Sequence, residues 1–348
     1  MNLSEKTSLL ARWAASAEAI CTVCHTHPDG DALGSSAALW HFLAAQGKKV
    51  TILLPDAQPP SLEFILAGTT FATGPEEASA ALAACDLLVC LDFNTFSRTE
   101  SLEQACRSFK GRKVLIDHHE DPSLPDFDLC FTRTDVSSAC ELLYEVLLCM
   151  PQTGGDPSRL PAPAAAALMT GMTTDTNNFA NSVYPGTLRM ASALLEAGTD
   201  RGAILDRLYS SGREERLRAQ GDILLNRMSV TPEGAAIIVL TDEIQSRYAL
   251  LDGETEGFVN LPLSIEKVRL SIFARQEGSR FRVSIRSKRG TSARLLAIEA
   301  FHGGGHELAA GGKILIPEDI PGPGQAAAYV ETAAARFLQH QDAASTKQ

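Results

Sequence analysis

The segment formed by residues 19–36 contains two overlapping sets of residues that could do chemistry. Cys21, Cys24 and His25 have the C-x-x-C-H spacing at which haem is attached in c-type cytochromes. His25, Asp29 and Asp31 form a second set of imidazole and carboxylate groups, which suit divalent metal ions. His25 cannot serve both sets, so the segment is either a haem attachment site or part of a metal centre.

The local pattern argues against haem. Residues 20–24 are a short, apolar, β-prone run, which predicts a buried strand. Cys21 and Cys24 are an odd number of residues apart and would therefore face opposite sides of that strand. Haem attachment of this type follows export, and the N-terminal residues do not resemble a signal peptide. We therefore interpret the cysteines as free thiols in a reducing compartment and expect a cytoplasmic protein.

Seven acidic or imidazole residues follow three predicted strands, residues 20–24, 87–91 and 114–116: His25, Asp29, Asp31, Asp92, Asp117, His118 and His119. In an open α/β sheet, ligands bind beyond the carboxyl ends of the strands. A single Asp in this place is often only a helix N-cap, but seven such residues at three strand ends predict a metal site. Asp175, at the end of a predicted apolar helix, is a further candidate ligand.

The types of donor atom indicate which metals fit. Oxygen and imidazole donors without thiolate suit Mn²⁺, with Mg²⁺ or Fe²⁺ as alternatives. The carboxylates exceed the needs of one ion. Two ions bridged by one Asp are typical of a phosphoester hydrolase, because such a pair activates a water and stabilises both oxygens of an in-line displacement.

The alternation of apolar runs and helical segments predicts the architecture. Four short apolar runs recur in the first third of the chain, with helix-compatible sequence between them. We predict an α/β protein with a doubly wound, mostly parallel sheet domain, a smaller α/β C-terminal domain, and an active-site cleft between them. The predicted segments are a catalytic domain at 1–210, a helical connector at 211–229, a second domain at 230–340 and a disordered tail at 341–348.

Composition limits the class of partner. The 348 residues carry a net charge of −11, which argues against coating of long duplex DNA, and no apolar stretch is long enough to predict a membrane span. Residues 266–313 contain ten Lys and Arg, four Glu and no Asp, a local net charge of +6. A basic second domain beside an acidic metal site suits a short, phosphate-rich substrate. The sequence leaves the oligomeric state open, including a homodimer.

Four motifs in this order resemble the DHH phosphoesterases: HTHPDGDALGSS at 25–36, LDFN at 91–94, IDHH at 116–119 and TDTNNF at 174–179. SIRS at 284–287 and FHGGGHELAAG at 301–311 resemble the DHH-associated C-terminal domain. Within that superfamily, the two-domain layout and YPGTLRMASALLEAG at 184–198 are most similar to the bifunctional oligoribonuclease (nanoRNase) and pAp phosphatase group.

The resemblance implies a role for each matching residue. One metal would take His25, Asp29 and a bridging Asp92, and the second would take Asp31, Asp92, His118 and Asp175. Asp117 would orient His118 or a metal-bound water, and His119 would contact the phosphate or assist proton transfer. The far end of the substrate would be held by the remaining candidates, Arg286, Ser287, Gly303, Gly304, Gly305 and His306. Two departures concern substrate detail, because His302 and Asn177 stand where the group usually has glycine.

The resemblance implies a cytoplasmic metal-dependent hydrolase. It would degrade short oligoribonucleotides to mononucleotides and remove the 3′-phosphate of 3′-phosphoadenosine 5′-phosphate (pAp) by means of a two-metal-activated hydroxide. One alternative is a phosphodiesterase for cyclic dinucleotides or their linear products. Another, of a different class, is a non-catalytic nucleotide sensor, although no predicted metal ligand is missing from the chain.

Overall fold

The computed structural model describes residues 1–210 and 212–345. The chain divides into two compact units, Met1–Ser211 and Gly212–Gln348, called the first and second unit below. No helix among the described residues has the length and apolar character needed to cross a membrane.

The first unit contains a six-stranded sheet in which every pair of neighbouring strands is parallel, in the order β3-β2-β1-β4-β5-β6. The strands are β1 (Ala19–Val23), β2 (Lys49–Leu54), β3 (Phe71–Thr73), β4 (Leu87–Leu91), β5 (Arg112–Asp117) and β6 (Leu129–Thr132). The predicted doubly wound parallel sheet is therefore confirmed, and the four apolar runs are β1, β2, β4 and β5. The strands β3 and β6 were not predicted, because they are short and lie at the two edges of the sheet.

Helices cover both faces of this sheet, as a parallel sheet requires. They are α1 (Leu3–Ser16), α2 (Gly30–Ala44), α3 (Gly74–Ala83), α4 (Glu103–Ser108), α5 (Ala139–Leu148), α6 (Ala162–Asp175), α7 (Pro185–Glu196) and α8 (Arg201–Tyr209). Cys21 packs in the core on the side of α3 and α4, whereas Cys24 packs on the side of α2 and α5. The two cysteines thus face opposite sides of the sheet, which is incompatible with their holding one haem.

The strand order contains a topological switch between β1 and β4. The chain runs outward from β1 through β2 to β3, and then returns to β4 and continues in the other direction. The loops that follow β1 and β4 therefore diverge and leave a crevice at the carboxyl ends of these strands. Asp92 directly follows β4, His25 is the second residue after β1, and both lie at this crevice.

Glycines allow α2 and α6 to approach each other closely. A Cβ atom on Gly34 would lie 2.7 Å from the carbonyl oxygen of Ala167, and one on Gly30 would lie 2.3 Å from Thr174 Oγ1. A Cβ atom on Gly171 would lie 2.3 Å from Cys140 Sγ. This close packing brings the last residue of α6, Asp175, to the same crevice as the first turn of α2.

The second unit contains a mixed six-stranded sheet in the order β11-β12-β10-β9-β8-β7, in which only β8 and β9 are parallel. Its strands are β7 (Met228–Val230), β8 (Ala235–Leu240), β9 (Leu270–Glu277), β10 (Arg280–Ser287), β11 (Gly304–Gly305) and β12 (Ala309–Leu315). Its helices are α9 (Glu214–Asp222), α10 (Asp242–Arg247), α11 (Ala293–Ala300) and α12 (Ala326–Ser345). The core between this sheet and α11 and α12 is formed mainly by Leu, Ile, Val, Ala and Phe side chains.

The structure describes most of the predicted connector and part of the predicted tail at the two ends of the second unit. The expected disordered tail is wrong for residues 341–345, because α12 continues to Ser345. Residues 346–348 lie outside the described residues, as does Ser211 at the start of the expected connector. From Glu214 to Arg227 the connector segment is helical, first as α9 and then as a π-helical turn.

The close approach of α2 and α6 predicts the effect of enlarging Gly34. We expect Gly34→Ala to lower the free energy of unfolding of the first unit by about 1–3 kcal/mol, because the added methyl group meets a backbone carbonyl that cannot move alone. Urea unfolding followed by tryptophan fluorescence measures this, since Trp13 and Trp40 are the chain's two tryptophans and both lie in the first unit. Gly202→Ala on the exposed surface of α8 is the control, and an unchanged midpoint for Gly34→Ala would contradict the packing argument.

Candidate metal centre

Three groups of side chains at the switch crevice could each hold a metal ion: His25, Asp29 and Asp92; Asp31, His118 and Asp175; and Asp92, His118 and His119. Within each group, one ligand atom from each residue lies within 4.8 Å of the others. The structure thus brings together all six side chains that the sequence suggested as metal ligands. Asp92 and His118 each belong to two groups, so these two side chains connect the cluster.

Asp92 is held in an unfavourable backbone conformation. Its φ angle is +62°, in the left-handed region that non-glycine residues seldom adopt, and its side chain is buried. The Oδ1 atom of Asp92 accepts no hydrogen bond from a described residue. Instead, its oxygens lie 3.4 Å from His118 Nε2 and 3.6 Å from His25 Nε2. A strained, buried carboxylate with an oxygen that accepts no hydrogen bond fits a cation ligand better than a structural cap.

The tautomer of His25 is fixed by the neighbouring backbone. Its Nδ1 atom donates to the carbonyl oxygen of Thr26 at 2.7 Å, so that Nε2 is directed at the carboxylates. Asp29 divides its two oxygens between two tasks. Its Oδ1 atom caps α2 by accepting from the amides of Asp31 and Ala32, and its Oδ2 atom lies 3.9 Å from His25 Nε2. Asp29 can therefore cap α2 with one oxygen and bind a metal ion with the other.

Asp31 and Asp175 complete the cluster from helices α2 and α6. The carboxylate of Asp31 is buried and accepts from the first two amides of α5, Ala139 at 2.6 Å and Cys140 at 2.9 Å. Asp175 stands at the carboxyl end of α6, where the helix dipole disfavours a negative charge. Its Oδ2 atom lies 3.7 Å from His118 Nε2. A carboxylate kept at the disfavoured end of a helix indicates that the site requires it.

The electrostatics of the cluster show how crowded the carboxylates are. Burial, together with the charge of Asp92, raises the pKa of Asp31 to about 7, and burial raises the pKa of Asp175 as well. Burial disfavours the charged form of His118, but Asp92 and Asp175 outweigh it and raise this pKa to about 10. Without a cation the cluster therefore retains protons at positions that a divalent metal ion would neutralise.

Asp117 contacts His119, not His118. Its Oδ1 atom accepts from His119 Nδ1 at 2.7 Å, and its side chain is fully buried at the end of β5. The family resemblance implies that Asp117 orients His118 or a metal-bound water, whereas its hydrogen bond in the structure is to His119. The observed bond fixes the ring of His119 with Nδ1 protonated, which makes Nε2 the nitrogen that can exchange a proton.

One buried residue near the site was not singled out from the sequence. Glu141 in α5 accepts from Ser137 Oγ at 2.6 Å and from Thr187 Oγ1 at 2.7 Å, and it thereby ties the start of α5 to α7. This fixes the two amides that hold Asp31. The available signal was Ser138-x-x-Glu141, which has the spacing of a helix capping box.

The candidate substrate residues of the second unit lie on neighbouring strands. Arg286 in β10 pairs with Ala309 in β12, and Gly304 and Gly305 form β11 beside β12. Gly303 is needed for packing, because a Cβ atom there would lie 1.9 Å from the carbonyl oxygen of Gly311, whereas a Cβ on Gly304 would meet nothing within 4 Å. Two of the three candidate glycines thus form a short strand.

The other two candidates of this group differ in exposure. Ser287 is buried, points to the face opposite Arg286, and binds the backbone of the 307–308 turn. His306 is exposed, and its amide donates to the carbonyl oxygen of Ala309 at 2.8 Å. The structure therefore brings Arg286, Gly304 and His306 to the same end of this sheet, with Ser287 beneath them.

Both departures from glycine occur at left-handed backbone positions. His302 has φ +48° and Asn177 has φ +46°. Glycine adopts this conformation without strain, and Asn is among the side chains that tolerate it best. His302 also gains a partner, since its Nε2 atom lies 2.9 Å from Asp319 Oδ1. Both residues thus adopt a backbone conformation that glycine adopts without strain.

Comparisons with known proteins indicate the family of this chain. Residues 19–172 match the DHH family, N-terminal domain, and residues 244–327 match the DHHA1 domain. A protein of Thermus thermophilus named bifunctional oligoribonuclease and PAP phosphatase NrnA is 30% identical over 310 residues, which cover 88% of both chains. A protein of Streptococcus mutans named probable bifunctional oligoribonuclease and PAP phosphatase NrnA is 29% identical over 293 residues, which cover 82% of this chain and 86% of that one.

The fold is also shared with a solved structure. The crystal structure of an exopolyphosphatase-related protein from Bacteroides fragilis superposes with a TM-score of 0.87 and 32% sequence identity, covering 97% of this chain and 98% of that chain. The likeness extends over both units. The motifs at 25–36, 91–94 and 116–119 fall within the residues that match the DHH family. The chain therefore belongs to the DHH phosphoesterase family and is a hydrolase that acts on phosphoester bonds.

Proposed function

We propose that this hydrolase degrades short oligoribonucleotides to mononucleotides and removes the 3′-phosphate of pAp, in the cytoplasm. The observation that carries the proposal is the pair of shared ligands, Asp92 and His118, which connect donor groups suited to two cations. The choice of substrate is supported by the relatives that are named for these two activities and that this chain matches over most of its length.

The donor set supports two Mn²⁺ ions as the resident metals. His25, Asp29 and Asp92 would hold one ion, and Asp31, Asp92, His118 and Asp175 would hold the other. These are oxygen and imidazole donors without thiolate, and their carboxylates carry the negative charge that two divalent ions would balance. A metal pair of this kind supplies an activated water and a positive field for the phosphoryl oxygens.

Asp117 and His119 supply the proton chemistry in this proposal. Asp117 accepts the Nδ1 hydrogen of His119 and stabilises the protonated ring, so that Nε2 can give a proton to the leaving oxygen. The leaving group is the ribose hydroxyl of the next nucleotide in RNA, or the 3′-hydroxyl of the adenosine in pAp. In both reactions one P–O bond breaks, water supplies the new oxygen on phosphorus, and the alkoxide leaves with the proton of His119.

The second unit contributes binding of the substrate backbone in this proposal. Arg286 offers a planar cation for a phosphate, and Gly304 allows close approach of the substrate to the backbone. His306 is exposed beside them. Gly303 and Gly305 keep β11 against β12, and Ser287 holds the following turn from below.

The Asp117–His119 hydrogen bond predicts a kinetic effect. We expect Asp117→Asn to lower kcat by about 10²–10⁴, with little change in KM, because the amide neither fixes the tautomer nor stabilises the protonated ring of His119. Steady-state kinetics on a short RNA and on pAp measure this. Asp121→Asn is the matched control, since this nearby exposed Asp has φ +55°, which Asn also adopts. Full activity of Asp117→Asn would refute the role of the dyad.

The proposed substrates are tested by product analysis. A 5′-labelled RNA trimer and, separately, pAp are incubated with the purified full chain and Mn²⁺ or EDTA. We expect mononucleotide from the trimer and inorganic phosphate from pAp, each only with metal, because in this proposal the metal ions activate the attacking water. Absence of both products would reject the proposed substrates, and cleavage of a cyclic or linear dinucleotide in parallel reactions would assign the hydrolase to that class.

A further inference from the structure

Strand β10 presents charged side chains on one face only. Phe281, Val283 and Ile285 are buried in the core with α11 and α12, so that the alternate residues point to the opposite face. That opposite face contains three arginines and a serine: Arg280, Arg282, Ser284 and Arg286. Arg286 is the residue to which the proposed function assigns a substrate phosphate, and the other three extend along the strand from it.

A second cation lies directly across from Arg282 on each neighbouring strand. Arg282 pairs with Arg275 of β9 and with Lys313 of β12. Residues paired in this way point to the same face, with Cβ atoms about 4.5–5.5 Å apart. Three positive side chains therefore form a row across β9, β10 and β12.

Only one cation of this row is neutralised by the part of the chain that the structure describes. Arg275 forms ion pairs with Asp252 at 3.1 Å and with Glu277 at 2.6 Å. Among the described residues, no side chain hydrogen-bonds or forms an ion pair with the side chain of Arg282 or Lys313, and both are exposed. Glu277 interacts electrostatically with Arg282, but its carboxylate already forms ion pairs with Arg275 and Arg280. Like charges directly opposite each other destabilise a sheet, so this pair is better explained by an anion that it binds.

The surface between Arg282 and Arg286 has only small side chains along β10 and β12. Ser284 lies between the two arginines on β10, and its partner on β12 is Gly311, which has no side chain. Arg282 and Arg286 are four positions apart, which corresponds to about 13 Å along an antiparallel strand. This span is longer than the separation of adjacent phosphates in one nucleic-acid strand, and it leaves room for the nucleotide between them.

We propose that Arg282 and Lys313 form a second phosphate-binding position for single-stranded RNA, which takes a phosphate two linkages away from the one at Arg286. The proposal deepens the proposed function and rests on it. An RNA with three or more phosphates in a row reaches both positions. A 5′-phosphorylated dinucleotide and pAp have only two phosphates and reach one of them. Arg282 and Lys313 therefore determine how much the affinity of the enzyme for RNA increases with the length of the RNA.

The test compares two RNA lengths on the full chain. Binding of a 5′-phosphorylated RNA pentamer and of a 5′-phosphorylated dinucleotide is measured by titration calorimetry in EDTA, where hydrolysis does not occur. We expect the variant with both Arg282→Gln and Lys313→Gln to bind the pentamer about tenfold more weakly and the dinucleotide as well as the wild type. The slope of log affinity against log salt concentration for the pentamer should become shallower by about 0.7, because the protein then neutralises one phosphate fewer of the single strand.

Arg280→Gln is the matched control, because it removes one positive charge from the same strand and face at a residue already paired with Glu277. The proposal is overturned if the double variant binds the pentamer like the wild type, if it weakens both RNAs equally, or if Arg280→Gln has the same effect. Failure of the proposed function has a different signature. The wild type with Mn²⁺ would then cleave neither RNA, whatever the outcome of the binding comparison.

Discussion

The first unit is organised around negative charge that is buried at the carboxyl ends of its central strands. Asp31 and Asp92 are buried, and Asp175 faces them from the end of α6. Carboxylates this close cannot all be ionised in a protein interior unless something compensates them. Part of the compensation comes from His25, His118 and the first amides of α5. The remaining negative charge has to be balanced by cations. In a phosphoester hydrolase the same cations can also stabilise negative charge on the substrate phosphate.

The need to balance this buried negative charge explains several features that would otherwise only destabilise the fold. The strand order places a crevice between β1 and β4, and the two ligands that follow these strands enter it from adjacent loops. Glycines remove the side chains that would keep α2 and α6 apart, so that Asp175 can reach the cluster. Asp92 takes a left-handed conformation directly after β4. Backbone strain of this kind persists only where the surrounding structure holds it, and it is concentrated at functional sites.

The sequence predicted the parts of this arrangement that follow from local pattern and topology. Buried strands read as apolar runs, and residues after parallel strands meet at one edge, so the ligands after β1, β4 and β5 could be placed together. Contacts made in three dimensions could not be predicted in this way. The partner of Asp117 depends on the ring orientation of His119, and the amides that hold Asp31 belong to a helix more than a hundred residues away. The edge strands β3 and β6 are too short to give a periodic signal, and β11 consists of two glycines, which carry no side-chain pattern.

We propose that one chain holds two cations that share Asp92. Electron paramagnetic resonance of the metal-free protein titrated with Mn²⁺ measures this directly. We expect uptake of two ions per chain, with the spectrum of a magnetically coupled pair at full occupancy and loss of that coupling in Asp92→Asn. Saturation at one ion per chain, or two ions without magnetic coupling in the wild type, would contradict it.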